Sequence, residues 1–297
     1  MTEPLASRFQ WSGAMTDAMR LAYAADGYLL LDGFVDRVDC QAMLAQSHHL
    51  IDDFDVENHR IVFSAKGQSH AASDYFMKSA ANISCFLEEE AVDADGNLRK
   101  EKAQAVNKIG HALHDLDPVF SRVSHHSSFK TLAHGVGLKS PLLLQSMVIC
   151  KQPFIGGEVN THQDSTFLYT EPETCVGFWL ALEDATVENG CMWAARGEHR
   201  SPLRKRFRRT LSDASSGQGD IMEMTDLDQT DMPVCETPLP APQGTLVVLH
   251  GRLPHHSVAN RSSVSRYAYA VHLIDGEASY SDENWLQRPE TMPLAGF

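Results

Sequence analysis

The chain has 297 residues, 43% of them hydrophobic, with 25 basic against 39 acidic side chains and a net charge of −14. The apolar content excludes a disordered chain, and so acidic a balance excludes nucleic-acid binding through bulk electrostatics, because phosphate backbones need a cationic face. The opening MTEPLASRFQ has no signal pattern, no apolar run nears the roughly 18 residues of a membrane span, and the six cysteines are scattered without a CxxC pair, so a reduced, cytoplasmic, membrane-free setting is expected.

In chain order, GYLLLDGFV is a short apolar run bounded by glycines and reads as a buried strand. Asp36 is an N-cap candidate, and Cys40, Met43, Leu44, Leu50, Ile51 and Phe54 after it follow a helical stripe. Asp117-Pro118 pairs an N-cap with proline at the first helical position, and the helical region it opens stops at Gly135. Residues 14–135 are therefore expected to be largely helical. From Pro141 the character changes. LLLQSMVICK, TCVGFWLALE, GCMWAAR, GTLVVLHG and SRYAYAVHLI are short, rich in β-branched or aromatic residues, and separated by Gly, Pro or acidic turns. Helices first and strands afterwards predict a mainly β fold with flanking helices, a sandwich or jelly roll with its core over 141–276, in one domain spanning 1–297.

Residues 211–233 are polar, acidic and aperiodic, and follow the basic run 204–209. The span 204–233 is expected to be a mobile loop. Its basic run reads either as a solvated face paired with the acidic stretch or as a patch for an anionic substrate.

The chemistry enters at His162-Gln163-Asp164. In an extended segment, residues two apart share a face, so an imidazole and a carboxylate would be presented together. A two-histidine, one-carboxylate iron site needs that pair and one distant histidine. About 90 residues further on, LHGRLPHHSVANRSSVSRYAY supplies His250, His255 and His256, and Arg266 stands eleven positions after His255. A guanidinium there can grip a carboxylate through two parallel hydrogen bonds, as 2-oxoglutarate would require. Each residue alone has an ordinary reading, the histidines in a turn and Arg266 on an edge strand. The combination is more specific than any part. Spacing leaves His255 and His256 open as the third ligand. Phe167, Trp193 and the loop after His199 are expected to wall the substrate pocket.

Further strings carry a family resemblance: Asp26-Gly27-Tyr28, Asn107-Lys108-Ile109-Gly110-His111, Gln145-Ser146-Met147, Gly156-Gly157-Glu158-Val159, Phe167-Leu168-Tyr169-Thr170-Glu171-Pro172, Glu188-Asn189-Gly190-Cys191 and Glu283-Asn284-Trp285-Leu286-Gln287. With His162, Asp164 and Arg266, these make the chain resemble the phytanoyl-CoA dioxygenase family over nearly its whole length. The resemblance implies a double-stranded β-helix of the cupin type. It implies Fe(II) on His162, Asp164 and His255, and 2-oxoglutarate against Arg266 with Ser257, Lys108, Met147 and Trp179 around it. Arg196-Gly197-Glu198-His199 departs from the family's usual Pro-Gly-Ser-His, which alters the substrate-facing loop.

The expected reaction couples O2 and the conversion of 2-oxoglutarate to succinate and CO2 with hydroxylation of an unactivated C–H bond in a small molecule. Asp164 argues against halogenation, because a halide needs the coordination position that the carboxylate fills. Desaturation, epimerisation or ring formation at the same site is the nearest alternative. A cupin-type protein binding metal or small molecules without oxygen chemistry is another, as is a non-catalytic interaction module acting through 204–233. Arg266 is the residue that a mere metal-binding cupin would not require.

Overall fold

Two segments that are apolar at nearly every position, 142–150 and 267–274, form the longest strands of the fold. In the computed structural model, which describes residues 7–59, 61–63, 74–95, 97–210 and 221–297, these are Pro141–Lys151 and Arg266–Asp275, paired antiparallel along their length. Strands covered on both faces lose the apolar–polar alternation of half-buried ones. On one side of this pair stand Val176–Ala181, Leu246–His250 and Tyr28–Asp32; on the other stand Val106–His111 and Ile83–Glu88. A second, smaller sheet places Thr237–Leu239, Met192–Ala194, His255–Ser257 and Val159–His162 side by side.

The large sheet has two differently covered faces. Leu29, Leu31, Ile109, Val148, Phe178, Tyr267 and Tyr269 pack against helical residues including Met43, Phe120 and Phe129. Tyr28, Leu30, Trp179, Val247, Ala268 and Ala270 instead pack against Met192, Ala194 and Leu239 of the small sheet. The result is the expected jelly roll, two facing sheets with helices outside. The helix Arg37–Asp53 starts where its N-cap predicts, with Asp36 Oδ1 accepting from the Asp39 amide at 2.8 Å. Asp117 caps Pro118–Ser124 by accepting from Val119 and Phe120, and Ser127–Gly135 ends at the expected glycine. All six cysteines are buried free thiols, and among the described residues no helix is long and apolar enough to cross a membrane.

Two expectations need correction. The segment 14–135 is not simply helical, because Ile83–Glu88 and Val106–His111 extend the large sheet. Asn107, Lys108 and His111 interrupt the apolar pattern of the second strand because these side chains line a cavity. The span 204–233 is not one loop either. Lys205–Thr210 and Ile221–Asp226 form an antiparallel hairpin; 211–220 lie outside the described residues. Phe207 and Met222 are buried and join Phe76, Leu168 and Trp285 in a third apolar cluster, which gives the hairpin its anchor. Its cations do pair with acids of the same region, Lys205 with Asp226 and Arg204 with Asp228, both at 3.4 Å. Arg206 turns instead to Glu283 and lies 3.9 Å from the centre of the Tyr169 ring.

Candidate active site

A cavity of about 430 Å³ lies between the sheets. The small sheet brings His255 opposite His162 in register. Backbone stays extended through Gln163 and then turns into a short 3₁₀ segment beginning at Asp164. The shared face expected of a strand therefore extends only to that turn, which swings the carboxylate between the two imidazoles. Single donor atoms of His162, Asp164 and His255 all lie within 4.8 Å of one another. Asp164 Oδ1 is 3.6 Å from His162 Nε2 and 3.7 Å from His255 Nε2. His256 also borders the cavity but stays out of that donor group, with Nδ1 3.5 Å from Thr161 Oγ1 and its ring beside Trp193.

Backbone carbonyls fix both imidazole tautomers. His162 donates from Nδ1 to Asn160 O at 2.8 Å, and His255 donates from Nδ1 to Leu253 O at 2.9 Å. Each Nε2 lone pair is thereby turned toward the common point, the arrangement a metal needs. Burial lowers His255 to about 4, so it stays neutral and able to donate that lone pair. Burial opposes the charge on His162, but the neighbouring Asp164 carboxylate raises its pKa. Burial also opposes ionisation of Asp164, yet His272 and His255 hold it well below the usual carboxylate range. Two imidazoles and one ionised carboxylate around an open point form the donor set of a non-haem Fe(II) site, and the residues present fit that ion.

The second carboxylate oxygen is placed by residues that sequence reasoning missed. Oδ2 is buried and makes no well-formed hydrogen bond; His272 Nε2 approaches it at 3.3 Å. Gln145 Nε2 donates in turn to His272 Nδ1 at 3.1 Å. Gly177 makes the space: a Cβ there would sit 2.9 Å from Asp164 Oδ2. The signal was present, since Gln145, Gly177 and His272 lie in three recognised strands, but cross-strand register is not written in the sequence. Gln145 and Gly177 both pair with His272.

Arg266 and Lys108 occupy another part of the same cavity. Along Arg266–Asp275, residues 266, 268, 270 and 272 share a face, so Arg266 and His272 are separated by roughly 20 Å of strand. Arg266 is 1% exposed, with Nε and Nη1 lacking any hydrogen-bond partner. Its guanidinium carbon is 5.3 Å from the centre of the Trp179 ring, and burial lowers its pKa to about 10. Burial lowers Lys108 to about 7. An unpaired buried guanidinium is costly unless an anion arrives. Met147, Trp179 and Ser257 line the cavity with these two cations. Phe167 also lines it, but Trp193 does not; alternation along Met192–Ala194 directs Met192 inward in its place. His199 itself packs against His250, its ring centre 5.1 Å away, while Phe207 and Met224 from the chain after it line the cavity as expected.

Comparison with known proteins bears on the same regions. A family model described as phytanoyl-CoA dioxygenase (PhyH) matches residues 23–268. The chain is 44% identical over 282 residues to phytanoyl-CoA dioxygenase 1 of Oryza sativa subsp. japonica, covering 93% of this chain and 95% of the relative. It is 39% identical over 279 residues to phytanoyl-CoA dioxygenase domain-containing protein 1 of Mus musculus, covering 92% and 94%. Among solved structures, the non-heme alpha ketoglutarate dependent carbocyclase SnoK from nogalamycin biosynthesis superposes with a TM-score of 0.61 at 17% identity, covering 97% of this chain and 100% of that one. EctD from S. alaskensis with 2-oxoglutarate and 5-hydroxyectoine gives 0.60 at 15% identity, covering 97% and 89%. These last two are likenesses of fold.

Proposed function

Because the chain belongs to the phytanoyl-CoA dioxygenase family, we propose that its cavity is the active site of an Fe(II)- and 2-oxoglutarate-dependent oxygenase acting on a small molecule. The observation that carries this is the coexistence, in one cavity, of the His162–Asp164–His255 donor set and a buried guanidinium with unpartnered nitrogens. His162 and His255 would hold the iron through Nε2 and Asp164 through Oδ1. Bound there, iron would supply O2 activation coupled to oxidative decarboxylation of 2-oxoglutarate to succinate and CO2, with hydroxylation of a C–H bond in the second substrate.

The chain's own residues orient and shield. Arg266 would take the distal carboxylate of 2-oxoglutarate by paired charge-assisted hydrogen bonds, with Ser257 beside it and Lys108 adding a second positive charge. Met147 and Trp179 would wall the co-substrate and exclude water. His272 and Gln145 would hold the Asp164 carboxylate so that Oδ1 alone faces the iron. The backbone carbonyls of Asn160 and Leu253 keep the two ligand histidines from rotating.

The test is succinate formation from 2-oxoglutarate by purified protein under air, with Fe(II) and after chelation. Iron-dependent succinate is the expected result. Wild-type protein that binds 2-oxoglutarate yet never converts it, with or without iron, would favour a binding function instead.

A further inference from the structure

The part of the cavity away from Arg266 has no role in holding iron or 2-oxoglutarate. Its wall is aromatic and apolar: Phe76, Phe167, Leu168, Phe207, Met224 and Trp285. Contacts connect this wall to the proposed metal centre. Phe167 lies 6.0 Å from His162 and 5.7 Å from Phe207, and Trp285 lies 4.5 Å from Phe76, ring centre to ring centre. Among the described residues, the only lysine or arginine side chains on the cavity wall are Arg266 and Lys108. The nearby guanidiniums of the hairpin stay off that wall. Arg206 and Arg208 meet Glu283, and Arg209 donates to Trp285 O at 2.9 Å.

Two of the polar side chains on the cavity wall, His111 and Gln145, present acceptors without a partner. Ser79 donates its hydroxyl proton to Phe76 O, so its Oγ accepts from His111 Nδ1 at 2.8 Å. That bond leaves the Nε2 lone pair of His111 without a protein partner on a ring that lines the cavity. Burial and the charge of Lys108 keep the ring neutral. Gln145 is constrained in the same sense. Its amide nitrogen lies 3.1 Å from His272 Nδ1, which leaves its amide oxygen toward the cavity. Gln145 Oε1 is left buried and unpartnered on a side chain that is 6% exposed and lines the cavity. A buried acceptor without a donor is destabilising until a ligand supplies one.

Resting on the oxygenase reading above, we propose that the second substrate is an uncharged, largely hydrocarbon molecule carrying a hydroxyl group, seated with its ring or branched body against Phe76, Phe207 and Trp285 and its O–H donated to His111 or Gln145. In the loaded site 2-oxoglutarate takes up the charges of Arg266 and Lys108, so among the described residues an anion on the second substrate finds no free cation, and His111 Nε2 and Gln145 Oε1 offer a ketone no donor.

The test is equilibrium binding to protein loaded with Fe(II) and 2-oxoglutarate without oxygen, read by tryptophan fluorescence and calorimetry. The probes are a size series of cyclic alcohols (cyclohexanol, borneol, 1-adamantanol), each paired with its ketone or methyl ether, and camphor-10-sulfonate as the anion. At least one alcohol should bind about tenfold tighter than its donor-free partner, and the sulfonate should not compete. His111→Phe should narrow that tenfold preference while leaving the donor-free partner within about twofold. Equal binding of alcohol and partner, preference for the sulfonate, or no binding across the alcohol series would overturn the inference. Binding of 2-oxoglutarate and basal succinate, measured on the same samples, separate this failure from failure of the oxygenase reading.

Discussion

Replacing Arg266 with methionine separates co-substrate binding from folding. The side chain is 1% exposed, and Nε and Nη1 have no partner. Burial lowers its pKa from 12.5 to about 10, which corresponds to about 3 kcal/mol of charge held in an unfavourable place. Methionine fills much of the same volume without the charge, so the ligand-free variant should melt no lower than wild type despite losing a fully buried side chain. Binding should move the opposite way. A pair of charge-assisted hydrogen bonds contributes ~3–6 kcal/mol, so the dissociation constant for 2-oxoglutarate should rise by about 10² to 10⁴. Calorimetric titration without oxygen, set beside thermal melts with and without 2-oxoglutarate, reads both effects. Wild-type affinity in the variant would remove Arg266 from the site. A large fall in the ligand-free melting temperature would show that the guanidinium is a structural group and that its unpartnered nitrogens do not await an anion.

Other expectations follow from the same geometry. His255→Ala should lose bound iron while His256→Ala keeps it, as read by metal analysis after dialysis; the reverse result would reassign the ligand. His272→Leu removes the group beside Asp164 Oδ2 and should weaken metal affinity by about 10–100-fold, with His272→Asn recovering part of it; an unchanged affinity would make His272 a packing residue only. Gly177→Ala would place a Cβ 2.9 Å from that oxygen and should also lower metal affinity with little change in melting temperature, whereas a fully loaded variant would show that the carboxylate has room to move. Lys108, lowered to about 7 by burial, is largely neutral above that pH in the free cavity. A dicarboxylate beside it favours the charged form, so 2-oxoglutarate binding at pH 8 should take up a proton and weaken as pH rises further. Binding enthalpies that do not vary with the ionisation enthalpy of the buffer would place Lys108 away from the co-substrate.

What the sequence disclosed depended on how local the signal was. Asp36 and Asp117 cap helices through amides two or three residues away, so both starts were legible. The long strands Pro141–Lys151 and Arg266–Asp275 were legible because they are apolar on both faces. Val106–His111 was not, because its inward side chains serve the cavity and carry the polarity the cavity needs. The hairpin Lys205–Thr210 with Ile221–Asp226 was hidden for a related reason: a few side chains, Phe207 and Met222 among them, hold it to the body, while charge dominates the rest. At the site, His162-Gln163-Asp164 is a local motif and stood out. The choice of His255 over His256 depends on which face of a three-residue strand turns inward, and the approach of His272, Gln145 and Gly177 to Asp164 depends on pairing across three strands. Such register follows from the packed sheet and not from any one segment.

Asp164 is the one carboxylate of the proposed metal centre. Asp164→Ala, loaded without oxygen with Fe(II) and 2-oxoglutarate and then exposed to air, should hold little iron and form no succinate while its circular dichroism and melting temperature stay close to wild type. Succinate formed at the wild-type rate by that variant would contradict the assignment of His162, Asp164 and His255 as the metal centre.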